Sequence, residues 1–193
     1  MTAGKRDEQL SFRPMVREDL PRLHEWLQQP HVADWWDDDA TETLGGVEAM
    51  YGERVAGTSV VTPWVMEIEG SAVGFIQWYR VEDEADWYPG VAIPPGTVAL
   101  DVAIGDPAYV GQGHGRRLVL EFVHHVLRTT MPECPEVWID PDPRNVRAIR
   151  AYEAYLGRFP AGDHAVGARA RRGACEAELE QWEQSAATYH AVA

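Results

Sequence analysis

The chain has 193 residues, 45% of them hydrophobic, and carries 31 carboxylate side chains against 17 Lys and Arg, which gives a formal net charge of -14. These values predict a single globular domain over residues 1–193, argue against nucleic acid and anionic membranes as partners, and favour either a small polycationic ligand or simply a soluble acidic surface. Two widely separated cysteines, short apolar runs and a charged N-terminus predict a cytoplasmic protein without a disulfide framework, membrane span or signal peptide.

The first third of the chain predicts one strand and two helices. Residues 11–15 are expected to form a short strand. A helix is expected to begin near Asp19 as the N-cap and to stop at Pro30, because leucines recur at helical spacing between them. A second helix is predicted over residues 42–54, weakened by its glycines.

The middle of the chain predicts a hairpin, a loop, a strand and a helix. Apolar residues alternate over residues 64–79, with a turn expected at Gly70-Ser71. An acidic, aromatic segment over residues 82–96 is expected to lack regular structure. Residues 97–104 then predict a strand, and residues 115–128 an amphipathic helix.

The pattern then repeats once, with a strand predicted over residues 136–140 and a helix over residues 144–156. The resulting order of elements is typical of an α/β (α+β) domain, in which helices flank a mixed central sheet.

A glycine-rich turn connects the strand at 97–104 to the following helix. It reads Gly111-Gln112-Gly113-His114-Gly115-Arg116-Arg117. Alternating glycines let successive N–H groups face one point, where the helix N-terminus adds partial positive charge and the two arginines could add charge-assisted contacts. The segment therefore suits a pyrophosphate, although a flexible loop before a helix is the alternative. Its spacing does not match a Walker A or a Rossmann fingerprint.

This strand, glycine turn and helix, followed by a second strand, loop and helix, resembles the GNAT superfamily of acyl-CoA N-acyltransferases. The resemblance implies a GNAT fold with two splayed strands and the thioester in the gap between them. Within the superfamily, three segments look like those of aminoglycoside 6'-N-acetyltransferases: His31-Val32-Ala33-Asp34-Trp35-Trp36, Gly74-Phe75-Ile76-Gln77-Trp78-Tyr79, and the Asp-Pro-x-Pro-x-Asn-x-x-Ala-Ile-x-x-Tyr-Glu segment that begins at Asp140. The resemblance covers residues 10–155 and implies acetyl-CoA as co-substrate, no metal, and an aminoglycoside amine as acceptor.

Two catalytic residues are implied by the resemblance. Asp101 would take the proton of the acceptor amine, and Tyr152 would donate one to the CoA thiolate. Asp101 stands in mid-strand between Ala99 and Ala103, whose small side chains leave room for a ligand. An exposed strand Asp and a core Tyr are the alternatives.

Further residues are implied for the two substrates. Those expected to bind the cofactor are Val102, Ile104, Gln112, Gly113, His114, Gly115, Arg116 and Asn145, with the backbone amides of β-strand residues 102–104 polarising the thioester carbonyl. Those expected to bind the acceptor, through carboxylates and aromatic faces, are Trp35, Trp36, Gln77, Asp86, Trp87 and Asp140. Any single Trp could instead be a core or rim residue.

The resemblance fades after Tyr155. Residues 161–174 show no strand alternation, and residues 181–193 are compatible with a terminal helix. Our hypothesis is that a divergent C-terminal region, or a locally altered reading frame, leaves one sheet edge unpaired and the protein less stable.

Two other functions stay open from the sequence. One is a siderophore-pathway N-acyltransferase acting on a lysine-type amine, whose family shares the N-terminal helix and the Asp-Pro-x-x-x-Asn turn. The other is a non-catalytic acyl-CoA-binding or partner-binding module. The Trp35-Trp36 pair favours the aminoglycoside interpretation. Seven scattered His residues do not indicate metal catalysis, and the chain could be a monomer or a homodimer.

Overall fold

The computed structural model describes residues 8–36, 39–87, 93–139, 141–142, 144–150 and 165–168, with the backbone alone at residues 39, 85–87 and 165–168. The strands are Leu10–Pro14 (β1), Thr62–Ile68 (β2), Ser71–Arg80 (β3), Val98–Ile104 (β4), Glu136–Ile139 (β5) and Ala165–Ala168 (β6). The helices are Leu20–Leu27 (α1), Pro30–Ala33 (α2), Leu44–Val55 (α3), His114–Phe122 (α4), Arg128–Thr130 (α5) and residues 146–150 (α6). No described helix has the length and apolar character that a membrane crossing needs.

The strands hydrogen-bond in the order β1-β2-β3-β4-β5-β6 and form a mixed sheet. β1 pairs antiparallel with β2, and β2 antiparallel with β3. β5 pairs parallel with both β4 and β6. The register of β4 with β5 covers Val98 and Ala99, although β4 continues to Ile104. The predicted α/β class with a mixed sheet is therefore confirmed.

The chain divides into two compact units, residues 1–79 with 101–132 and residues 80–100 with 133–193. The core of the first unit includes the predicted stripe of α1, since Leu20, Leu23 and Leu27 are all buried. They pack with Val47 and Tyr51 of α3 in one apolar cluster. In the second unit the buried side chains of Val137, Trp138 and Ile139 come from β5.

The start of α1 differs from the prediction. Asp19 occupies the N-cap position, but its side chain makes no capping hydrogen bond to α1. It accepts instead from Arg13 and from the backbone N–H of Val16. Pro30 does not stop α1, which ends at Leu27, but begins α2, where its missing N–H costs nothing.

Two further corrections concern turns. The hairpin turns at Glu69-Gly70 rather than Gly70-Ser71, and both turn residues have positive φ (50° and 74°), as a two-residue turn between twisted strands requires. The segment expected to be irregular contains a 3₁₀ stretch, Val81–Trp87, interrupted at Glu84.

The long helix predicted at 115–128 is three consecutive pieces. α4 passes into a π turn at Val123–Leu127, and α5 follows. The apolar stripe is nevertheless as predicted, because Leu118, Phe122 and Val126 are buried.

The expectation that residues 161–174 lack a strand was wrong. Ala165–Ala168 forms β6 and pairs parallel with β5, from Glu136 opposite Ala165 to Ile139 opposite Ala168. Backbone hydrogen bonding therefore covers an edge of β5 that the hypothesis left unpaired. The helix expected over residues 181–193 lies outside the described residues.

Candidate active site

The glycine turn in the first unit has the backbone that its sequence predicts. Gly111 and Gly113 have φ of 75° and 86°, and Gly113 is the left-handed N-cap of α4. A Cβ at either position would meet no atom within 4 Å. The glycines are thus needed for conformation, because L residues rarely adopt positive φ.

Several side chains around this turn already have partners among the described residues. Gln112 donates to the carbonyl of Ala108. His114 is 2% exposed, packs edge-on against Tyr109, and places Nδ1 3.4 Å from a carboxylate oxygen of Glu8. Arg117 donates to the backbone carbonyl of Glu8 at 3.0 Å. Because these side chains have protein partners, the predicted cofactor contacts of Gln112 and His114 would be made by their backbone amides.

Arg116 differs from its neighbours in this respect. Its Nε is buried, yet it has no hydrogen-bond partner among the described residues. A buried donor without an acceptor is costly, and Arg116 lies in the first turn of α4, whose N-terminus favours an anion. The turn, the helix N-terminus and Arg116 thus fit a phosphate group of the kind that acyl-CoA carries.

Asp101 stands half-buried on β4, upstream of this turn. Gln77 of β3 donates from Nε2 to its Oδ2 at 2.8 Å. Gln77 itself is 5% exposed and accepts from Arg54 of α3 at 3.0 Å. The structure thus brings together two residues that the sequence assigned to different tasks, Asp101 to catalysis and Gln77 to the acceptor.

Two residues that the sequence analysis did not single out hold β4 in place. His31 Nε2 donates to the carbonyl of Ile104 at 2.9 Å, because a carbonyl can only accept. Gly74 of β3 allows close contact, since a Cβ there would lie 2.2 Å from the carbonyl oxygen of Ala103. Both belong to the segments that carried the family resemblance, which was the available signal for them.

The Trp35-Trp36 pair is divided between surface and core. Trp35 is 39% exposed, so its ring can contact a ligand. Trp36 is partly buried and packs edge-on against Phe75, with ring centroids 4.7 Å apart. It therefore serves the core at least in part.

The turn after β5, in the second unit, is ordered by its own side chains. Asn145 Oδ1 accepts from the backbone N–H of Ala148 at 3.0 Å and so caps α6. Asp142 accepts from the Arg144 guanidinium at 2.7 Å, and this hydrogen bond holds the pKa of the Asp142 carboxyl below its ordinary value. The capping bond engages the Asn145 side-chain oxygen, and the amide nitrogen is the group that would donate to a ligand.

The other predicted site residues are not all described. Asp140 and Tyr152 lie outside the described residues, as do the side chains of Asp86 and Trp87, whose backbone belongs to the 3₁₀ stretch. Val102 and Ile104 lie half-buried on β4. Within the described part of the chain, no cluster of three His, Cys, Asp or Glu could hold a metal ion.

Comparison with known proteins agrees with this geometry. Residues 15–160 match the family model of the acetyltransferase (GNAT) domain. The chain belongs to the GNAT acetyltransferase family. The aminoglycoside N(6')-acetyltransferase type 1 of Klebsiella pneumoniae is 31% identical over 148 residues, which are 76% of this chain and 73% of that protein.

Two other relatives of this GNAT acetyltransferase bear on its acceptor. A solved aminoglycoside acetyltransferase, AAC(6')-Ib in complex with coenzyme A and kanamycin, is 32% identical with a TM-score of 0.66, and the match covers 75% of this chain and 81% of that one. The lysine N-acyltransferase MbtK of Mycolicibacterium paratuberculosis is 29% identical over 76% of this chain and 63% of its own length.

Proposed function

We propose that the chain transfers the acetyl group of acetyl-CoA to an amino group of an aminoglycoside, the 6'-amine by analogy with its relatives. The observation that carries the proposal is the position of the Asp101 carboxylate. Asp101 lies on β4, the strand that leads into the glycine turn, and its carboxylate accepts a hydrogen bond from Gln77 of β3. A cytoplasmic enzyme, monomeric or homodimeric, with a polycationic acceptor and no nucleic-acid partner is part of the proposal.

The chemistry needs a neutral amine, a polarised thioester and a proton for the departing sulfur. Asp101 takes a proton from the acceptor ammonium, directly or through water, and the amine nitrogen then bonds to the acetyl carbon. The carbon–sulfur bond breaks, the thiolate receives a proton from Tyr152, and the second proton that the nitrogen loses as it becomes an amide passes through water to restore the tyrosine hydroxyl. Backbone N–H groups of residues 102–104 stabilise the negative charge that develops on the carbonyl oxygen.

Acetyl-CoA would be bound by backbone amides of the glycine turn and by two side chains. The backbone amides of Gln112, Gly113, His114 and Gly115, with the Arg116 side chain, would hold the pyrophosphate, and Asn145 the pantetheine arm. The exposed ring of Trp35 would stack on a sugar face. Trp36, Asp86, Trp87 and Asp140 complete the proposed acceptor contacts.

The test is turnover of purified protein with acetyl-CoA and a panel of amines, followed by release of free thiol. Kanamycin and ribostamycin should be acetylated, and Asp101→Asn should lower kcat/KM by about 10²–10⁴-fold because the amine then lacks its base. Glu133→Gln, an exposed carboxylate in the same protein, is the matched control and should keep full activity. Coenzyme A binding without turnover on any amine would instead indicate a non-catalytic module.

The similarity to a lysine N-acyltransferase supports a second candidate, acylation of a lysine-type amine. The same assay separates the two once a lysine-type amine and a longer acyl-CoA are added to it. Turnover confined to these would contradict the aminoglycoside proposal.

A further inference from the structure

Three polar side chains from three elements form one hydrogen-bonded series in the first unit. Arg54, in the last turn of α3, donates from Nη1 to Gln77 Oε1 at 3.0 Å. Gln77, on β3, donates from Nε2 to Asp101 Oδ2 at 2.8 Å. The guanidinium is thereby coupled through one amide to the carboxylate of the proposed base.

The chemistry of the two ends fixes the orientation of the Gln77 amide. A guanidinium can only donate and a carboxylate can only accept, so the amide oxygen must face Arg54 and the amide nitrogen must face Asp101. A flipped amide would place oxygen against oxygen and nitrogen against nitrogen. Because Gln77 is almost fully buried, water has little access to its amide.

Arg54 is in turn held from a second side. Its Cζ lies 4.5 Å from the ring centroid of Tyr51, one turn earlier on α3, in a cation–π contact. That ring is fully buried and packs edge-on against Phe75, two residues before Gln77 on β3. A cation in the last turn also suits the C-terminal end of the helix dipole. The guanidinium is therefore positioned relative to the strand that carries Gln77.

We infer that Arg54 is a positioning residue for acetyl transfer, which acts through Gln77 to orient the Asp101 carboxylate and to strengthen the hydrogen bond that this carboxylate accepts. The inference rests on the proposed role of Asp101 as base. It assigns the amide of Gln77 to Asp101 rather than to the acceptor. A cation at one end of a hydrogen-bonded series polarises the donor at the other end, and a stronger donor favours the ionised carboxylate.

The kinetic test compares Arg54→Ala and Arg54→Met, the latter retaining an apolar stem over Tyr51, with Arg128→Ala, an exposed arginine on α5, as the matched control. Loss of one hydrogen bond should lower kcat roughly fivefold, with KM for acetyl-CoA unchanged. Millimolar guanidinium should restore part of the kcat of Arg54→Ala and none in the control. A kcat equal to wild type in both variants would overturn the inference, while Asp101→Asn still tests the base.

A second readout does not depend on turnover. The Asp101 carboxyl, identified by its absence in Asp101→Asn, is titrated by NMR in protein labelled with ¹³C at aspartate carboxyls. In Arg54→Ala and Arg54→Met its midpoint should move to higher pH than in the wild type, because a weaker donor stabilises the ionised form less. An unchanged midpoint in folded variants, checked by thermal melting, would overturn the inference. If the wild type acetylates no aminoglycoside, the proposed function fails, and this titration alone decides the role of Arg54.

Discussion

Single residues determine how closely β3 and β4 approach beside the proposed base. Gly74 has no side chain, and any larger residue at this position would require β4 to move away. A Cβ there would lie 2.2 Å from Ala103 O and 2.9 Å from Ile104 Cα, both backbone atoms. Rotating a side chain cannot relieve such a clash. Asp101 belongs to the same strand, so the absence of a side chain at Gly74 bears directly on where its carboxylate lies.

Gly74→Ala should accordingly lower both the unfolding free energy and kcat. Overpacking against backbone typically costs about 1–3 kcal/mol of unfolding free energy, and the displaced β4 should lower kcat. Gly45→Ala is the matched control, because a Cβ at Gly45 in α3 meets no atom within 4 Å. Urea unfolding with the thiol-release assay measures both quantities. A Gly74→Ala protein as stable as Gly45→Ala would show that the strands can separate without cost.

At the level of elements, one ion-pair network joins β1, β2 and the start of α1. Arg13 of β1 binds both carboxylate oxygens of Asp19, at 2.6 Å and 2.7 Å. Its Nε also donates to Glu67 of β2 at 3.0 Å. The hydrogen bond from Arg13 is the largest cause that lowers the pKa of Asp19 below its ordinary value of 3.8. The Asp19 carboxylate, which the sequence predicted as a helix cap, therefore binds Arg13 of β1 and links that strand to the start of α1.

This network predicts a pH-dependent stability. Because the pKa of Asp19 is lower in the folded chain than in the unfolded one, its contribution is fully present above about pH 4 and is lost as the pH falls through the folded value. Asp19→Asn should lower the unfolding free energy by about 1–2 kcal/mol at pH 7, a range reduced for the partial exposure of Arg13. The deficit should shrink below pH 4, where Asp19 of the unfolded chain takes up a proton first and Asp19 of the folded chain follows at lower pH.

Chemical denaturation at several pH values measures that deficit, with Asp34→Asn, at an exposed carboxylate, as the control. A deficit that stays constant from pH 7 to pH 3 would show that packing of the side chain, rather than its charge, accounts for the loss. Such a result would remove the electrostatic explanation of the Arg13–Asp19 contact.

The elements themselves were largely predictable, because apolar periodicity is a local property of the sequence. The alternation in β2 and β3 and the stripe of α4 follow directly from it. The turn at Glu69-Gly70 was missed by one residue. β2 and β3 also shift register between Met66 and Glu67, which simple alternation cannot show. β6 was missed because Ala165–Ala168 alternates too weakly to signal a strand, and its pairing with β5 is set by tertiary context.

The candidate site could be predicted only where it coincides with a motif. Asp101 and the glycine turn could be named as candidates because they belong to segments that resemble those of the family, and their roles stay predictions. Arg54 could not, because its contact with Gln77 joins residues 23 positions apart on different elements. His31 belongs to a motif, yet its hydrogen bond to Ile104 spans 73 positions. Such contacts depend on how helices and strands pack, which periodicity alone does not specify.

At the scale of the whole molecule, the net charge of -14 would attract the acceptor if the acceptor is a polycation. An aminoglycoside carries several ammonium groups, so the field of the protein would raise its local concentration. The same field would repel acetyl-CoA, whose phosphates are negative. The turn at Arg116 would offset that repulsion locally, since it combines the Arg116 guanidinium with the positive end of α4.

Salt should therefore act oppositely on the two substrates. Raising ionic strength from about 0.01 M to about 0.15 M shortens the Debye length from roughly 30 Å to roughly 8 Å. The KM for kanamycin should then rise several-fold, while the KM for acetyl-CoA should stay level or fall and kcat should change little. A monoamine acceptor serves as the control, because one charge responds less than several. Equal KM changes for the polycation and the monoamine would show that the acidic surface serves solubility alone and that acceptor affinity comes from contacts within the site.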